Sequence, residues 1–344
     1  MRKHEISIAD IARAAGVSHT TVSRALRESS LISASTRGRI QHLAREMGYT
    51  PNAIAQSLQT QQTSTIGLVV TSIADPFVSD VMKGVEEVAR AAGFSVFLSA
   101  SHNDPEQEMV IIETFHRRRV DGILLAASRI TSDYTKRLSS IRVPTVLINS
   151  QAESQARLLH WVSVDDQQGA QLAVEHLLQL GHRSIGYLGI SGRPRSNRQR
   201  LLGYQNALTA AGVSSQDEWI VIAPEAEASH EEDIEAGRSA LPRLLEAGVS
   251  AVFCYNDMIA IGMLMACREQ GITVPQDLSV IGFDDIKMAS CVTPPLTTIH
   301  QPKVQLGRMA TQVMLDLLHN RPGSSHMLSP TLMPRASTAP FTRN

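Results

Sequence analysis

A run of hydrogen-bonding side chains lies near the start of the chain. Ser18, His19, Thr20, Ser23 and Arg24 place hydroxyl, imidazole and guanidinium groups within one short segment. Such groups can hydrogen-bond the edges of base pairs in the major groove of DNA, and a guanidinium can also bind guanine or phosphate. If the segment is a helix, these residues lie at its beginning, which is where DNA-reading helices contact bases.

The residues around this run predict two short helices joined by a tight turn. Ile8, Ile11 and Ala15 recur at helical spacing, and Gly16 can end that helix in the left-handed conformation. Ser18 can accept a hydrogen bond from the backbone at the start of the next helix. This order of elements is a helix-turn-helix.

A third helix and an uneven charge distribution support this interpretation. The spacing predicts the third helix over residues 36–47, with apolar residues on one face and arginines on the other. Residues 1–62 hold eight Lys or Arg against four Asp or Glu, whereas the remainder holds 24 against 29. Two amphipathic helices also occur in proteins that never bind DNA, but a basic head on an acidic body favours phosphate attraction at one end.

Beyond residue 64, short Val- and Ile-rich runs alternate with amphipathic stretches. This alternation predicts parallel sheets with helical crossovers, and it restarts after residue 165. The chain therefore has the pattern of two doubly wound lobes. The predicted strands are 66–70, 95–99, 122–126 and 145–149 in the first half, and 185–189, 251–255 and 278–283 in the second.

Polar and aromatic residues follow several of these predicted strands. Asp75 and Phe77 come after the first strand, Asn149 after the fourth, and Asp257 and Asp285 after strands of the second half. Ligands of open α/β sheets bind beyond the carboxyl ends of the strands, and carboxylates suit ligands with several hydroxyls. Asp257 also fits a helix cap and Asp75 a turn before proline, so both alternatives stay open.

Motifs spread along the whole chain resemble those of the lactose-repressor (LacI) family of bacterial transcription regulators. In the head they are Gly16-Val-Ser18 and Thr21-Val-Ser-Arg24. The others are Gly48-Tyr-Thr-Pro51-Asn52, Asp75-Pro-Phe77, Val120-Asp-Gly122, Gly181-His-Arg183, Asn256-Asp257, Gly282-Phe-Asp284-Asp285, Pro295-Leu-Thr-Thr-Ile299 and Ser337-Thr-Ala-Pro340.

The resemblance implies the fold class and domain organisation. It implies an all-α helix-turn-helix head and a two-lobed α/β body of the periplasmic-binding-protein type, with two doubly wound parallel sheets. The expected domains are a DNA-binding domain over 1–50 and a hinge helix with linker over 51–64. The first lobe is expected over 65–163 and 290–325, and the second over 164–289 and 326–344.

The resemblance also gives a role to the segment after the head. In the family, this hinge folds when two copies pair on operator DNA, and a leucine from each enters the minor groove. Leu58 matches that leucine, and Asn52 and Ala55 are the other expected hinge contacts with DNA. An ordinary core leucine is the alternative for Leu58.

In the body, the family's ligand positions match Asp75, Phe77, Asn149, Asp257 and Asp285. Arg200 matches the family's effector-binding arginine, although three neighbouring arginines could take that role: Arg193, Arg195 and Arg198. Relatives often have an Asn and a second Phe where this chain has Asp75 and Val78, which leaves one aromatic wall of a sugar site absent.

These features predict a ligand-responsive DNA-binding repressor of genes for the uptake or catabolism of carbohydrates or related small metabolites. Its effector is expected to bind in the cleft between the lobes and to change operator affinity. The expected partners are a pseudopalindromic double-stranded operator, a sugar or sugar derivative as effector, and a second copy of the chain in a homodimer. We expect no enzyme activity, cofactor, metal or membrane association, since the three cysteines lack metal-type spacing and no signal peptide or long apolar span occurs. A cytoplasmic protein is expected. The alternative function is a solute receptor or sugar enzyme that uses only the body.

Overall fold

The chain divides into two compact units, a head over Met1–Thr63 and a body over Ser64–Asn344. The structure, a computed structural model, describes residues 6–50, 62–126, 141, 143–150, 159–224 and 230–342. Within these residues, no helix is long and apolar enough to cross a membrane. No group of three or more potential metal ligands occurs in the described part of the chain either.

Over residues 6–50, the head consists of the helices α1 (Ile8–Ala15), α2 (His19–Leu26) and α3 (Ala34–Glu46). Gly16 ends α1 at φ 65°, as its sequence position predicts. The Ser18 hydroxyl caps α2 by accepting a hydrogen bond from Thr21 N at 3.1 Å. Helix α3 begins two residues before its predicted start because Ser33 caps it through Thr36 N at 3.3 Å.

The first sheet of the body is built from β1 (Thr65–Val70), β2 (Ser95–Ala100), β3 (Gly122–Ala126), β4 (Thr145–Ile148), β5 (Leu159–Val164) and β11 (His326–Leu328). Its strand order is β11-β5-β4-β3-β1-β2, and all pairs are parallel. Among its described residues, this lobe has the helices α4 (Pro76–Ala91), α5 (Pro105–Arg117) and α10 (Lys303–Leu318).

The second sheet is built from β6 (Ile185–Ile190), β7 (Ile220–Ala223), β8 (Ala251–Cys254), β9 (Ser279–Asp284), β10 (Thr297–His300) and β12 (Thr331–Met333). Its order is β12-β10-β9-β8-β6-β7, and only the edge strand β12 is antiparallel among its described pairs. Its helices are α6 (Asp166–Gln179), α7 (Pro194–Ala210), α8 (His230–Glu246) and α9 (Asp257–Glu269), with 3-10 turns at Asp217–Trp219 and Lys287–Ser290.

The chain passes between the lobes three times, after β5, after β10 and after β11. Two of these crossings differ from the predicted domain boundaries. Strand β10 lies in the second sheet although 290–325 was assigned to the first lobe, and β11 lies in the first sheet although 326–344 was assigned to the second. Both strands are only three or four residues long, and their sheet is decided by ladder partners distant in sequence, such as Thr297 with Ile281.

Candidate functional site

Helix α2 presents the predicted base-reading side chains on one surface of the head. Ser18, His19, Thr20 and Arg24 are exposed, and Ser23 is half-buried, whereas Val22 is buried in the head core. This arrangement follows from the helical period, because the apolar residues that pack against α1 and α3 leave the opposite face in solvent. The N-terminal face of α2 can therefore approach a DNA groove.

Arg27 is a residue of this surface that the sequence analysis did not select. Its Nη2 donates to the Ser23 hydroxyl at 2.9 Å, and its Nε donates to the Ser23 carbonyl at 3.2 Å. The spacing of four residues on one helix was the signal that could have revealed the pair. Ser23 therefore already has a partner on α2.

Several head arginines bind protein carbonyls at helix ends. Arg39 donates to Ala15 O, the last residue of α1, at 3.2 Å, and Arg37 donates to Glu28 O at 3.2 Å. These guanidiniums satisfy carbonyls that lack a partner within their own helix. Arginines of the head thus stabilise its fold as well as adding to its positive charge. The predicted hinge contacts Asn52, Ala55 and Leu58 lie outside the described residues.

In the body, polar side chains from both sheets meet at the carboxyl ends of their strands. Asp75 follows β1, Arg193 follows β6, Tyr255 follows β8, and Asp284 ends β9. Arg193 Nη2 lies 3.4 Å from Asp75 Oδ2, so an ion pair joins the two lobes across this cleft. Asp75 also caps α4 by accepting from Phe77 N at 2.8 Å, so the turn alternative for this residue is also present.

Arg200 forms the floor of the cleft on the second lobe. It is 3% exposed, and its Nε donates to Asp166 Oδ1 at 2.8 Å. Its Nη1 donates to Tyr255 O, and the guanidinium carbon lies 3.7 Å from the Phe283 ring centroid and 4.3 Å from that of Tyr255. Packing between two rings and a carboxylate fixes this cation rigidly.

The carboxylate near Arg200 and Asp75 in the cleft belongs to Asp284, whereas the sequence predicted its neighbour Asp285. Asp284 accepts a hydrogen bond from Gln301 Nε2 at 2.6 Å. The pKa of Asp284 is raised to about 6: burial is the largest cause and the nearby Asp75 adds to the rise, while Arg200, Lys303 and the hydrogen bond from Gln301 act to lower the pKa. A carboxyl that titrates near neutrality in a cleft is typical of binding sites.

Asp285 points to other partners. Its two oxygens accept from Arg335 Nη2 at 2.5 Å and from His300 Nδ1 at 2.8 Å. Burial acts to raise the pKa of Asp285, but these two hydrogen bonds and the positive charges of Arg335 and Lys303 together outweigh it and leave the pKa lowered. The structure therefore places Asp285 in an ion-paired group that holds the C-terminal segment against β10.

Asp257 also has partners within the protein. It is 0% exposed, and its oxygens accept from the Thr298 hydroxyl at 2.5 Å and from Ile286 N at 2.8 Å. The residue before it, Asn256, caps α9 by accepting from Ile259 N at 2.9 Å. Because both oxygens are occupied and buried, Asp257 connects α9 to β10 in this structure.

The remaining two predicted residues lie in the first lobe. Phe77, in the first turn of α4, is buried in the hydrophobic core of this lobe, so its ring packs against protein. Asn149 is half-buried, and its Nδ2 donates to Gln301 Oε1 at 3.3 Å while its Oδ1 accepts from Val164 N at 3.3 Å. Asn149 and Gln301 thus form a hydrogen-bonded chain that continues to Asp284.

Two oxygen atoms at the same edge of the first sheet lack a hydrogen-bond partner. Thr71 Oγ1, just after β1, and Asn103 Oδ1, just after β2, are buried and unpaired. Strands β1 and β2 are parallel neighbours, so both residues follow strands that end at one edge. Unpaired buried polar atoms are costly unless a ligand or water satisfies them. The polar run after β2 was the sequence signal that could have revealed Asn103.

The chain is similar to known proteins over nearly its full length. Residues 7–52 match the family described as bacterial regulatory proteins, lacI family, and residues 174–338 match the periplasmic binding protein-like domain. The HTH-type transcriptional repressor PurR of Haemophilus influenzae (strain PittEE) is 34% identical over 318 residues, which are 92% of each chain.

Two solved structures show the same architecture. The lac repressor dimer bound to operator and the anti-inducer ONPF is 28% identical, with a TM-score of 0.85 and coverage of 98% of this chain and 100% of that one. The transcriptional regulator CelR in complex with cellobiose is 27% identical, with a TM-score of 0.71 and coverage of 97% and 100%.

Proposed function

The chain belongs to the LacI family of bacterial transcriptional regulators, and from that premise we propose that its cleft binds a sugar or sugar derivative. It is a ligand-responsive DNA-binding repressor and not an enzyme. The observation that supports the site is the convergence of Asp75, Arg193, Arg200 and Asp284 from both sheets at one edge. The alternative function, a solute receptor or sugar enzyme that uses only the body, has no support from these relatives, which are transcriptional regulators.

The paired charges of the cleft, and the unpaired oxygen atoms of Thr71 and Asn103, favour a neutral ligand rich in hydroxyls. Arg200 is paired with Asp166 and Arg193 with Asp75, so little unbalanced positive charge is left to select an anion. Asn103 Oδ1 accepts a donor, and the Thr71 hydroxyl serves as either donor or acceptor. The cellobiose bound to CelR is a ligand of this chemical class.

We propose that two copies of the chain bind a pseudopalindromic operator as a homodimer. In each head, His19, Thr20 and Arg24 would lie in the major groove of one half-site, with Ser18 holding the start of the reading helix. Asn52, Ala55 and Leu58 would contact the DNA between the half-sites, with Leu58 in the minor groove. As a regulator of bacterial genes, the protein would act in the cytoplasm.

Effector and operator would be coupled through the angle between the lobes. A ligand that joins Asp284 of the second lobe to Asp75 of the first would favour one interlobe arrangement and thus one spacing of the hinges. Couplings of this kind are typically about 1–3 kcal/mol, or roughly 5- to 150-fold in affinity. Binding of ligand would therefore change operator affinity by a factor in that range.

The test begins with operator selection from random DNA, at fixed salt, followed by binding with sugars, sugar acids and nucleosides added singly. We expect one sugar-class compound to change specific affinity by about tenfold or more. Arg193→Gln should reduce the affinity for that compound, while Arg183→Gln, an arginine of the loop before β6, serves as control. An equal loss of affinity in the Arg183→Gln control would remove Arg193 from the effector site, and a response only to anionic compounds would overturn the proposed effector class.

The hinge is tested separately with Leu58→Ala. Removing the wedge should weaken binding to the selected operator more than binding to unrelated DNA of equal length, because nonspecific binding depends on phosphates alone. Leu31→Ala, an exposed leucine of the head, is a matched control. Equal loss on both kinds of DNA would remove this role for Leu58.

A further inference from the structure

Two helices of the first lobe, α4 and α10, pack against each other at backbone distance. An added Cβ at Gly84 of α4 would lie 2.1 Å from Val304 O, and one at Gly307 of α10 would lie 2.1 Å from Val81 O. Backbones this close leave no room for a side chain between them. The α4–α10 pair is therefore packed as one unit.

Both helices of this pair begin with a residue that contacts the second lobe. Asp75 caps α4 and pairs with Arg193, as described above. Lys303 is the first residue of α10 and is only 3% exposed. Its Nζ donates to the backbone carbonyl of Asp285 at 2.8 Å and to that of Asp284. The α4–α10 pair thus contacts the second lobe at two points.

The carbonyls bound by Lys303 belong to an unusual turn of the backbone. Asp284 has φ 116° and Asp285 has φ 53°, a region that residues with a Cβ rarely adopt. Such conformations persist only when surrounding contacts hold them. The two side chains leave this turn toward different partners, Asp284 toward Gln301 in the cleft and Asp285 toward Arg335.

We propose that Lys303 is a positioning residue for the effector site: it fixes the turn that aims the Asp284 carboxylate into the cleft, and it ties that carboxylate to the α4–α10 pair. The inference rests on the proposed effector site. A ligand that engages Asp284 would pull on the same turn that Lys303 holds, and the first lobe would respond through α10. Lys303 itself need not touch the ligand.

A buried ammonium suits this role better than a neutral donor would. One nitrogen with three donors reaches two adjacent carbonyls at once, and charged hydrogen bonds are stronger than neutral ones. The positive charge also opposes the rise in the pKa of the nearby Asp284 carboxyl that burial causes. Lys303 therefore acts on Asp284 through both geometry and charge.

The test uses the full-length protein with Lys303→Met and Lys303→Gln, and with Lys287→Met as control. Lys287 is an exposed lysine three residues beyond Asp284, in the turn that follows it. Hydrogen exchange is followed for the Asp285 and Ile286 amides, which donate to Thr298 Oγ1 and Asp257 Oδ2. The Asp284 carboxyl is titrated by carbon-13 NMR and assigned with Asp284→Asn.

We expect Lys303→Met to speed exchange of both amides by roughly tenfold or more, because two buried carbonyls lose a charged donor. It should also move the Asp284 titration to higher pH. Lys303→Gln, which retains a donor but no charge, should restore part of the exchange protection and leave the titration moved. If Lys303 were purely structural, the variants would change the rate of hydrogen exchange without moving the Asp284 titration.

Unchanged exchange and titration in both Lys303 variants, or equal changes in Lys287→Met, would overturn the proposal. Neither readout requires a ligand or DNA. A protein that binds no sugar would therefore count against the proposed effector, while the role of Lys303 at the turn would be decided independently.

Discussion

At the scale of single residues, two adjacent aspartates show how environment separates identical side chains. Burial raises the pKa of Asp284 to about 6 even though Arg200 is near. Asp285, one residue later, has a lowered pKa because its hydrogen bonds to Arg335 and His300, together with nearby positive charges, outweigh its burial. The left-handed turn between them sends one carboxylate into the cleft and the other into an ion-paired group.

The opposite shifts predict opposite dependences of stability on pH. A carboxyl whose folded pKa is raised favours the fold at low pH, and that contribution is lost as pH rises through its folded pKa, about 6 for Asp284. Asp284→Asn should therefore remove a decline in the free energy of unfolding on the order of 2–3 kcal/mol between pH 4 and pH 7. Urea denaturation across that range measures it.

Asp285→Asn is the matched control for this measurement. A carboxyl with a lowered pKa stabilises above its unfolded pKa and loses that contribution as pH falls through its folded pKa. This variant should be less stable than wild type at pH 7, with the difference shrinking in acid. Equal pH profiles for the two variants would contradict the distinct environments described here.

In the head, some polar side chains are exposed to solvent and others are hydrogen-bonded within the protein. Thr20 is exposed on the reading face of α2, whereas Arg39 donates to Ala15 O. Thr20→Ala should lower affinity for the selected operator by about 1–3 kcal/mol and leave nonspecific affinity nearly unchanged. Arg39→Gln should lower the melting temperature of the head while keeping the ratio of specific to nonspecific affinity. Competition binding and thermal unfolding measure the two effects.

At the scale of elements, close helix packing explains why glycine occurs inside α4 and α10. Glycine inside an exposed helix ordinarily weakens it. Here Gly84 and Gly307 permit the backbone of one helix to contact that of the other, and the N-termini of both helices reach the second lobe. The two glycines thus determine how closely α4 packs against α10.

This packing predicts a reversal of the usual effect of Gly→Ala in a helix. Gly84→Ala should destabilise the body by about 1–3 kcal/mol, because the new methyl group overlaps Val304 O. Gly38→Ala in α3, where nothing lies within 4 Å of the added Cβ, should stabilise the head by about 0.5–1 kcal/mol. Thermal unfolding distinguishes the two units, and stabilisation by Gly84→Ala would refute the close contact.

At the scale of the whole molecule, both sheets leave apolar side chains exposed at one edge. Strand β2 ends the first sheet and exposes 44% of Phe97 and 37% of Leu98. Strand β7 ends the second sheet and exposes 39% of Ile222, and Met265 on α9 is 41% exposed. Exposed apolar edges of this kind are typical of association surfaces. We propose that the second copy of the chain covers them.

This proposal predicts which charges disrupt assembly. Phe97→Glu and Met265→Glu should shift the protein toward monomer and weaken operator binding, because a charge would be buried at the interface. Val110→Glu, on α5 and 50% exposed in wild type, should leave the dimer intact. Sedimentation equilibrium measures the assembly. Dimers of unchanged affinity in both edge variants would show that another surface pairs the copies.

The sequence by itself determined the parts of this protein that depend on local interactions. The caps at Ser18 and Gly16, the helical period of the head and the apolar strands of the body were all visible before any contact was known. The match of motifs along the whole chain identified the family and its fold. Local signals suffice there because helix caps and hydrophobic periods involve residues a few positions apart.

Only the tertiary structure decided which side chains share the cleft. It placed Asp284 rather than Asp285 there, buried Asp257 against Thr298, joined Arg193 to Asp75, and assigned β10 and β11 to their sheets. These outcomes depend on backbone conformation at one turn and on strand register between segments distant in sequence. Such long-range pairings leave no trace in local composition, because the same residue types fit a cap, a core or a ligand site.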